Sequence, residues 1–204
     1  MLLGQVGEQS PSLAFSPGGK SLAATSAGSP CEIHVLNLQT GVTRVLKGAW
    51  KGPTSISFSP DGRTIAAADA DLSNAAIRLW DVETGTARIL GRSTRQITSV
   101  AFFPDGKHLA SGGWDETVRV WNVQTGEARI LGENCSCISH LVISTAGDRI
   151  ASSSLDGRIR VWDVETRRSR NIAQCYGVNA ISFTNDARSL ATAGDDGTLR
   201  LWTT

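Results

Sequence analysis

The sequence is short of the residues that usually announce chemistry. Three histidines occur, His34, His108 and His140, and the four cysteines, Cys31, Cys135, Cys137 and Cys175, form no CxxC pair and have no histidine at zinc-ligand spacing. No metal site is expected. The thiols read as buried and reduced, although Cys135 and Cys137 would point the same way in an extended segment, so a vicinal redox pair stays open. Charge of neither sign dominates: twenty basic side chains face nineteen acidic ones, for a net charge of +1. That balance gives no general attraction to nucleic acid, and none is expected as a partner. No apolar run approaches the ~18 residues of a membrane helix. The opening MLLGQVGEQS has neither the positive flank nor the long apolar stretch of a signal peptide, which makes a soluble, cytoplasmic protein the expectation. No Gly-rich phosphate loop, GxSxG or HExxH motif occurs, and no cofactor is expected.

What the chain does have is a period. Trp80, Trp121, Trp162 and Trp202 are spaced by 41, 41 and 40 residues, too regular for so rare a residue. Each stands in the same phrase: AIRLWDVETG, TVRVWNVQTG, IRVWDVETR and the shorter TLRLWTT. A divergent copy, CEIHVLNLQTG, puts Leu36 in the tryptophan position, and the second copy carries a small insertion near Asp69 to Ala75. Within one unit, ITSVAF, HLASGG, TVRVW and EARIL are separated by FPDG, WDE and NVQTG, which reads as four short strands joined by tight turns. A four-stranded unit of this length is the size of a propeller blade, and one small sheet cannot shelter both faces, so neighbouring units must stack.

The phrases AFFPDGKHLASGGWDETVRVWNVQTG and ISFSPDGRTIAAADADLSNAAIRLWDVETG resemble the Trp-Asp repeat family, and the likeness covers essentially the whole chain. The resemblance implies an all-β fold, a β-propeller of four-stranded antiparallel blades, that binds proteins or peptides, usually without catalysis. It also implies a buried polar network in each blade. Ser111, Asp115 and Trp121 match that network in the third unit, Ser152, Asp156 and Trp162 in the fourth, and Thr192, Asp196 and Trp202 in the fifth. The family's histidine has no counterpart in any unit. Units one and two carry Ala24 and Pro30, and Ala67 and Asn74, in place of the Ser and Asp.

The repeats are bounded at approximately 5–47, 48–91, 92–132, 133–173 and 174–204, making a single domain of five blades. The last unit lacks its fourth strand, and MLLG repeats the phrase of that strand, so residues 1–4 are expected to complete the last blade. A compact five-bladed ring and a monomer are the first expectation. An open arc, a segment of a larger propeller, and two chains exchanging terminal strands are the alternatives.

Paired carboxylates such as Asp195 and Asp196, or Asp69 and Asp71, could serve as acid and base, but Asp196 recurs in the repeat and catalytic groups are unique. No catalytic residue and no enzyme activity are expected. Arg78, Arg119, Arg160 and Arg200 recur two residues before each tryptophan, so they belong to the repeat, with heads directed to neighbouring carboxylates or water. Residues that break the repeat are the informative ones. Trp50 and Tyr176 fall between the fourth strand of one unit and the first of the next, and Trp114 falls between the second and third strands. With Lys51, Arg92 and Arg95 in the same connections, they have the composition of a protein-binding face. The expected function is a protein-interaction scaffold, the alternative a structural or sensor segment of a larger ring or multidomain signalling assembly.

Overall fold

The computed structural model of the chain describes residues 12–26, 31–48, 52–69, 71–72, 74–133 and 136–204. Among these residues every element is a β-strand, as the turn-punctuated sequence predicts. The first sheet is β1 (Leu13–Phe15), β2 (Ser21–Thr25), β3 (Glu32–Asn37) and β4 (Thr43–Lys47). The second is β5 (Pro53–Phe58), β6 (Thr64–Asp69), β7 (Ala75–Asp81) and β8 (Ala87–Ser93). The third is β9 (Ile97–Phe102), β10 (His108–Gly113), β11 (Thr117–Asn122) and β12 (Ala128–Glu133). The fourth is β13 (Ile138–Ile143), β14 (Arg149–Ser154), β15 (Arg158–Asp163) and β16 (Ser169–Gln174). The fifth has three strands among the described residues, β17 (Val178–Phe183), β18 (Ser189–Gly194) and β19 (Leu199–Thr203). All five are antiparallel meanders. Residues 1–4, expected to supply a further strand, lie outside the described residues. The chain divides into two compact units, Met1–Ile97 and Thr98–Thr204.

Turn chemistry sets the strand ends. After each of the first four third strands, an Asp or Asn side chain folds back on the backbone. Asn37 accepts from the amides of Gln39 and Thr40, Asp81 from Glu83 and Thr84, Asn122 from Gln124 and Thr125, and Asp163 from Thr166, all at 2.7–3.0 Å. The turn closes through a left-handed residue, which is Gly41, Gly85 or Gly126 in three sheets and Arg167, at φ 59°, in the fourth.

In the first unit, Ile33, Val35 and Leu46 of the first sheet pack with Ile56, Phe58, Ile65 and Trp80 of the second. The second unit repeats this arrangement twice. Val118, Val120 and Leu131 of the third sheet take Ile138, Leu141 and Trp162 of the fourth; Ile159 and Val161 of the fourth take Val178, Ile181 and Leu190 of the fifth. Within each unit, the first strand of the later sheet thus covers the third strand of the sheet before it. A serine stitches successive first strands: Ser12 Oγ accepts the Ile56 amide at 3.1 Å, and Ser99 Oγ the Leu141 amide at 3.1 Å.

Trp80, Trp162 and Trp202 lean backwards onto the preceding sheet. Trp162 sits against Gly132, where the β11–β12 pairing skips Leu131 and brings the backbone so close that a Cβ on Gly132 would overlap the ring. Trp202, Ile172 and Ala173 all pack against the core shared by the fourth and fifth sheets, and the β15–β16 pairing carries the matching irregularity. The β3–β4 pairing has no such skip, and Trp80 Nε1 instead donates to the Lys47 carbonyl at 3.5 Å.

Candidate functional site

In a four-stranded meander the turn between the second and third strands and the connection to the next sheet emerge at the same end. In the second unit that end carries the turns at 114–116, 155–157 and 195–198 and the connections at 136–137 and 175–177.

The network residues lie behind this face. Trp121 Nε1 donates to Ser111 Oγ at 2.8 Å, Trp162 Nε1 to Ser152 Oγ at 2.9 Å, and Trp202 Nε1 to Thr192 Oγ1 at 2.9 Å. All three acceptors are buried, so each otherwise costly buried indole N–H is satisfied. The turn carboxylates are held from the turn side. Asp115 accepts from the amide and hydroxyl of Thr117 and pairs with Arg119 at 2.8 Å. Asp196 accepts from Thr198 in the same way and pairs with Arg200 at 2.6 Å. The Arg200 guanidinium, aided by Thr198, holds Asp196 far below the ordinary carboxylate range. Asp156 takes the Ser154 hydroxyl at 2.6 Å and the Arg158 amide at 3.2 Å. Burial works to raise its pKa, but the Ser154 hydroxyl, the Arg158 amide and the charges of Arg158 and Arg160 outweigh it, and the net shift is downward. Arginine on the third strand therefore supplies a donor where the repeat lacks its histidine. Arg160 differs: it donates to the Glu133 carbonyl at 3.1 Å and lies over the Trp162 ring.

In front of this layer stand exposed apolar side chains. Trp114 is 42% exposed and Tyr176 67%. Between them in sequence comes Leu155, 63% exposed at the turn position that Trp114 occupies in the preceding sheet and Asp195 in the following one. Reading the repeat for aromatics passed over Leu155; aligning the turns WDE, LDG and DDG would have found it. The three are linked through Cys137 and Gly157. Cys137 Sγ lies 4.0 Å from the Trp114 carbonyl, the Leu155 amide donates to the Cys137 carbonyl at 3.0 Å, and the Tyr176 ring lies against Gly157. Beyond Tyr176, the Asp195 amide donates to the Gly177 carbonyl at 2.8 Å. A cleft of about 530 Å³ opens there, lined by Gln174, Cys175, Tyr176, Asp195 and Arg200.

In the first unit, Arg92 and Arg95 are exposed, and Arg92 donates to the Asn74 side chain at 3.1 Å. Leu72, in the insertion, is 65% exposed. Trp50, Lys51 and Cys135 lie outside the described residues. Of the other cysteines Cys31 and Cys175 are buried and Cys137 half-buried; burial, then the Asp69 carboxylate, pushes the Cys31 thiol up. Among the described residues no group of three His, Cys, Asp or Glu side chains could hold a metal ion, and no helix is long and apolar enough to cross a membrane.

The repeated strands, their packing and the tryptophan-hydroxyl pairs agree with a comparison of sequence. The family model for the WD domain, G-beta repeat, matches residues 41–81, 86–122, 127–163 and 169–203. The chain belongs to the WD-repeat family. Its fold is similar to the crystal structure of the β-propeller domain of Cps50 (Swd1) from Myceliophteria thermophila, with a TM-score of 0.80 and 20% identity over 97% of this chain. The sheets are thus propeller blades, and the chain spans 66% of the length of that domain. No curated protein matches the sequence. WD propellers in general bind proteins or peptides and generally act as non-catalytic scaffolds.

Proposed function

We propose that this chain is a non-catalytic scaffold that binds a peptide or protein domain on the loop face of its blades. The observation that supports the reading is the exposure of Trp114, Leu155 and Tyr176 at one end of three successive sheets. Large apolar side chains held in water by rigid turns are the usual anchors of an interface, and a few of them carry most of its binding energy. By sequence, Trp50, Lys51, Arg92 and Arg95 fall in the corresponding connections of the earlier repeats. The test compares Trp114→Ala with Tyr176→Ala. Each is expected to weaken capture of a bound partner about tenfold or more, as loss of a central anchor does, while leaving the melting temperature near that of the parent. Unchanged capture with lowered stability would mark them as parts of the fold and end the reading.

A second reading, that the chain is a segment of a larger ring or assembly, is favoured by a separate observation. Leu13, Phe15, Leu199 and Leu201 are exposed at registers that are buried in other sheets.

A further inference from the structure

The loop face of the second unit carries charge of one sign that its own cations leave unmatched. Asp115 pairs with Arg119, Asp156 with Arg158 and Asp196 with Arg200, so these carboxylates are committed within the fold. Arg160 is held by the Glu133 carbonyl and the Trp162 ring. Glu116, Glu133 and Asp195 remain, all exposed, and none of them has a cation partner among the described residues. Every residue named here lies within Thr98–Thr204.

Asp195 takes the turn position held by Trp114 and Leu155 in the two preceding sheets, so the apolar row ends in a charge. Its place is fixed from the connection beside it. The Asp195 amide donates to the Gly177 carbonyl at 2.8 Å, and its Oδ1 accepts from the Asn179 side-chain amide at 2.6 Å. Oδ2 lies over Gly177, so close that a Cβ there would overlap it, and has no hydrogen-bond donor among the described residues. Tyr176, the residue before Gly177, lines the same cleft of about 530 Å³. An aromatic ring and a carboxylate at the end of an apolar row suit a cation carried on an apolar stem, because the face of the ring and the carboxylate both attract it. An acidic side chain would meet repulsion there, since the Arg200 charge that could draw it is already matched by Asp196 at 2.6 Å.

We propose that the loop face takes an extended peptide in which an arginine or lysine stands beside apolar residues, the apolar side chains resting on Trp114 and Leu155 and the basic one between Tyr176 and Asp195. This rests on the loop-face reading above and names the chemistry of its partner. Glu116 and Glu133, in the third sheet with Trp114, spread the attraction along the peptide, which favours basic partners over acidic ones.

A displayed library of random dodecapeptides, selected on the intact chain, supplies the probes. The retained peptides should be enriched in arginine or lysine next to apolar residues and depleted in aspartate and glutamate. One such peptide, made synthetically, should bind Asp195→Asn about fivefold more weakly than the parent. That substitution keeps the acceptor for Asn179 and should leave the melting temperature unchanged. Replacing the peptide's basic residue by glutamine should cause the same loss on the parent and no further loss on Asp195→Asn, because both changes remove one contact. Peptides that are lost on Trp114→Ala and Tyr176→Ala but show no preference for a basic residue, or bind Asp195→Asn as well as the parent, overturn this inference and leave the loop-face reading standing. A library that yields no peptide sensitive to Trp114→Ala and Tyr176→Ala ends both.

Discussion

The second and fourth blades bury the same tryptophan by different means. Trp80 and Trp162 are both excluded from water, yet the fourth blade gives its indole N–H a serine hydroxyl at 2.9 Å and the second gives it a strand carbonyl of the preceding sheet at 3.5 Å. The second blade has Ala67 where the fourth has Ser152, and its indole meets the Lys47 carbonyl of an unbroken β3–β4 pairing where Trp162 meets Gly132 at a skip. The fourth blade in turn closes its third-strand turn on Arg167, where the second has Gly85. The comparison teaches that the ring's burial is the invariant and its polar satisfaction is negotiable. Shape complementarity to the preceding sheet is met in both blades; the hydrogen bond can come from whichever acceptor lies in reach.

The largest expected effect falls on shape. Gly132→Ala pushes a methyl group into the Trp162 ring, and overpacking of this kind costs about 2–3 kcal/mol, measurable as a shift in the denaturant midpoint. Lys47→Ala, at an exposed residue whose carbonyl alone meets Trp80, should cost less than half as much. Equal losses would break the comparison. Next comes the hydroxyl. Ser152→Ala leaves the Trp162 N–H without its acceptor and should cost about 1–2 kcal/mol. Ala67→Ser in the second blade should gain no more than ~1 kcal/mol, because Trp80 already has a carbonyl; a larger gain would show that the 3.5 Å contact contributes nothing. Smaller still, Arg167→Gly relieves a left-handed backbone and should raise stability by about 0.5–1 kcal/mol, while Gly85→Arg in the second blade should lower it by a similar amount.

The least effect is pH-dependent and belongs to the fourth blade alone. Burial pushes the half-buried His140 imidazole below its ordinary pKa of 6.5, whereas the second blade has Ser55 at that place. The unfolded chain then takes up a proton more readily than the folded one. Stability should be full above pH 6.5 and decline as pH falls through the lowered pKa of the folded state. His140→Gln should flatten that part of the profile, and an unchanged slope in melts between pH 7 and pH 5 would contradict the assignment.

The fold was legible because a tryptophan period and turn residues such as Asp81, Asn122 and Asp163 act locally, through spacing and side-chain-to-amide bonds that a sequence displays. What was less legible depends on a third dimension. The pairing of Asp115 with Arg119 and of Asp196 with Arg200 needs the turn to bring residues four apart together, and the sequence placed the arginines only generally near carboxylates or water. Gly132 carries no mark in the sequence, and only the strand skip at Leu131 reveals it as the bed of a ring. Leu155 carried no mark, since a leucine in a repeat reads as core until its turn is aligned with that of Trp114. The exposure of Leu199 and Leu201 could not be read at all, because their sequence is that of the third strands whose matching residues are buried.

The backward lean of the tryptophans has a consequence for how such a chain is made. Trp80 rests on a sheet translated before it, and so do Trp162 and Trp202. A ribosome releases the amino-terminal sheets first, so the platform for each indole is outside the exit tunnel before the indole itself arrives. Each of these three repeats can then dock on emergence rather than wait for residues still to be synthesised, and its tryptophan spends the shortest time without a partner.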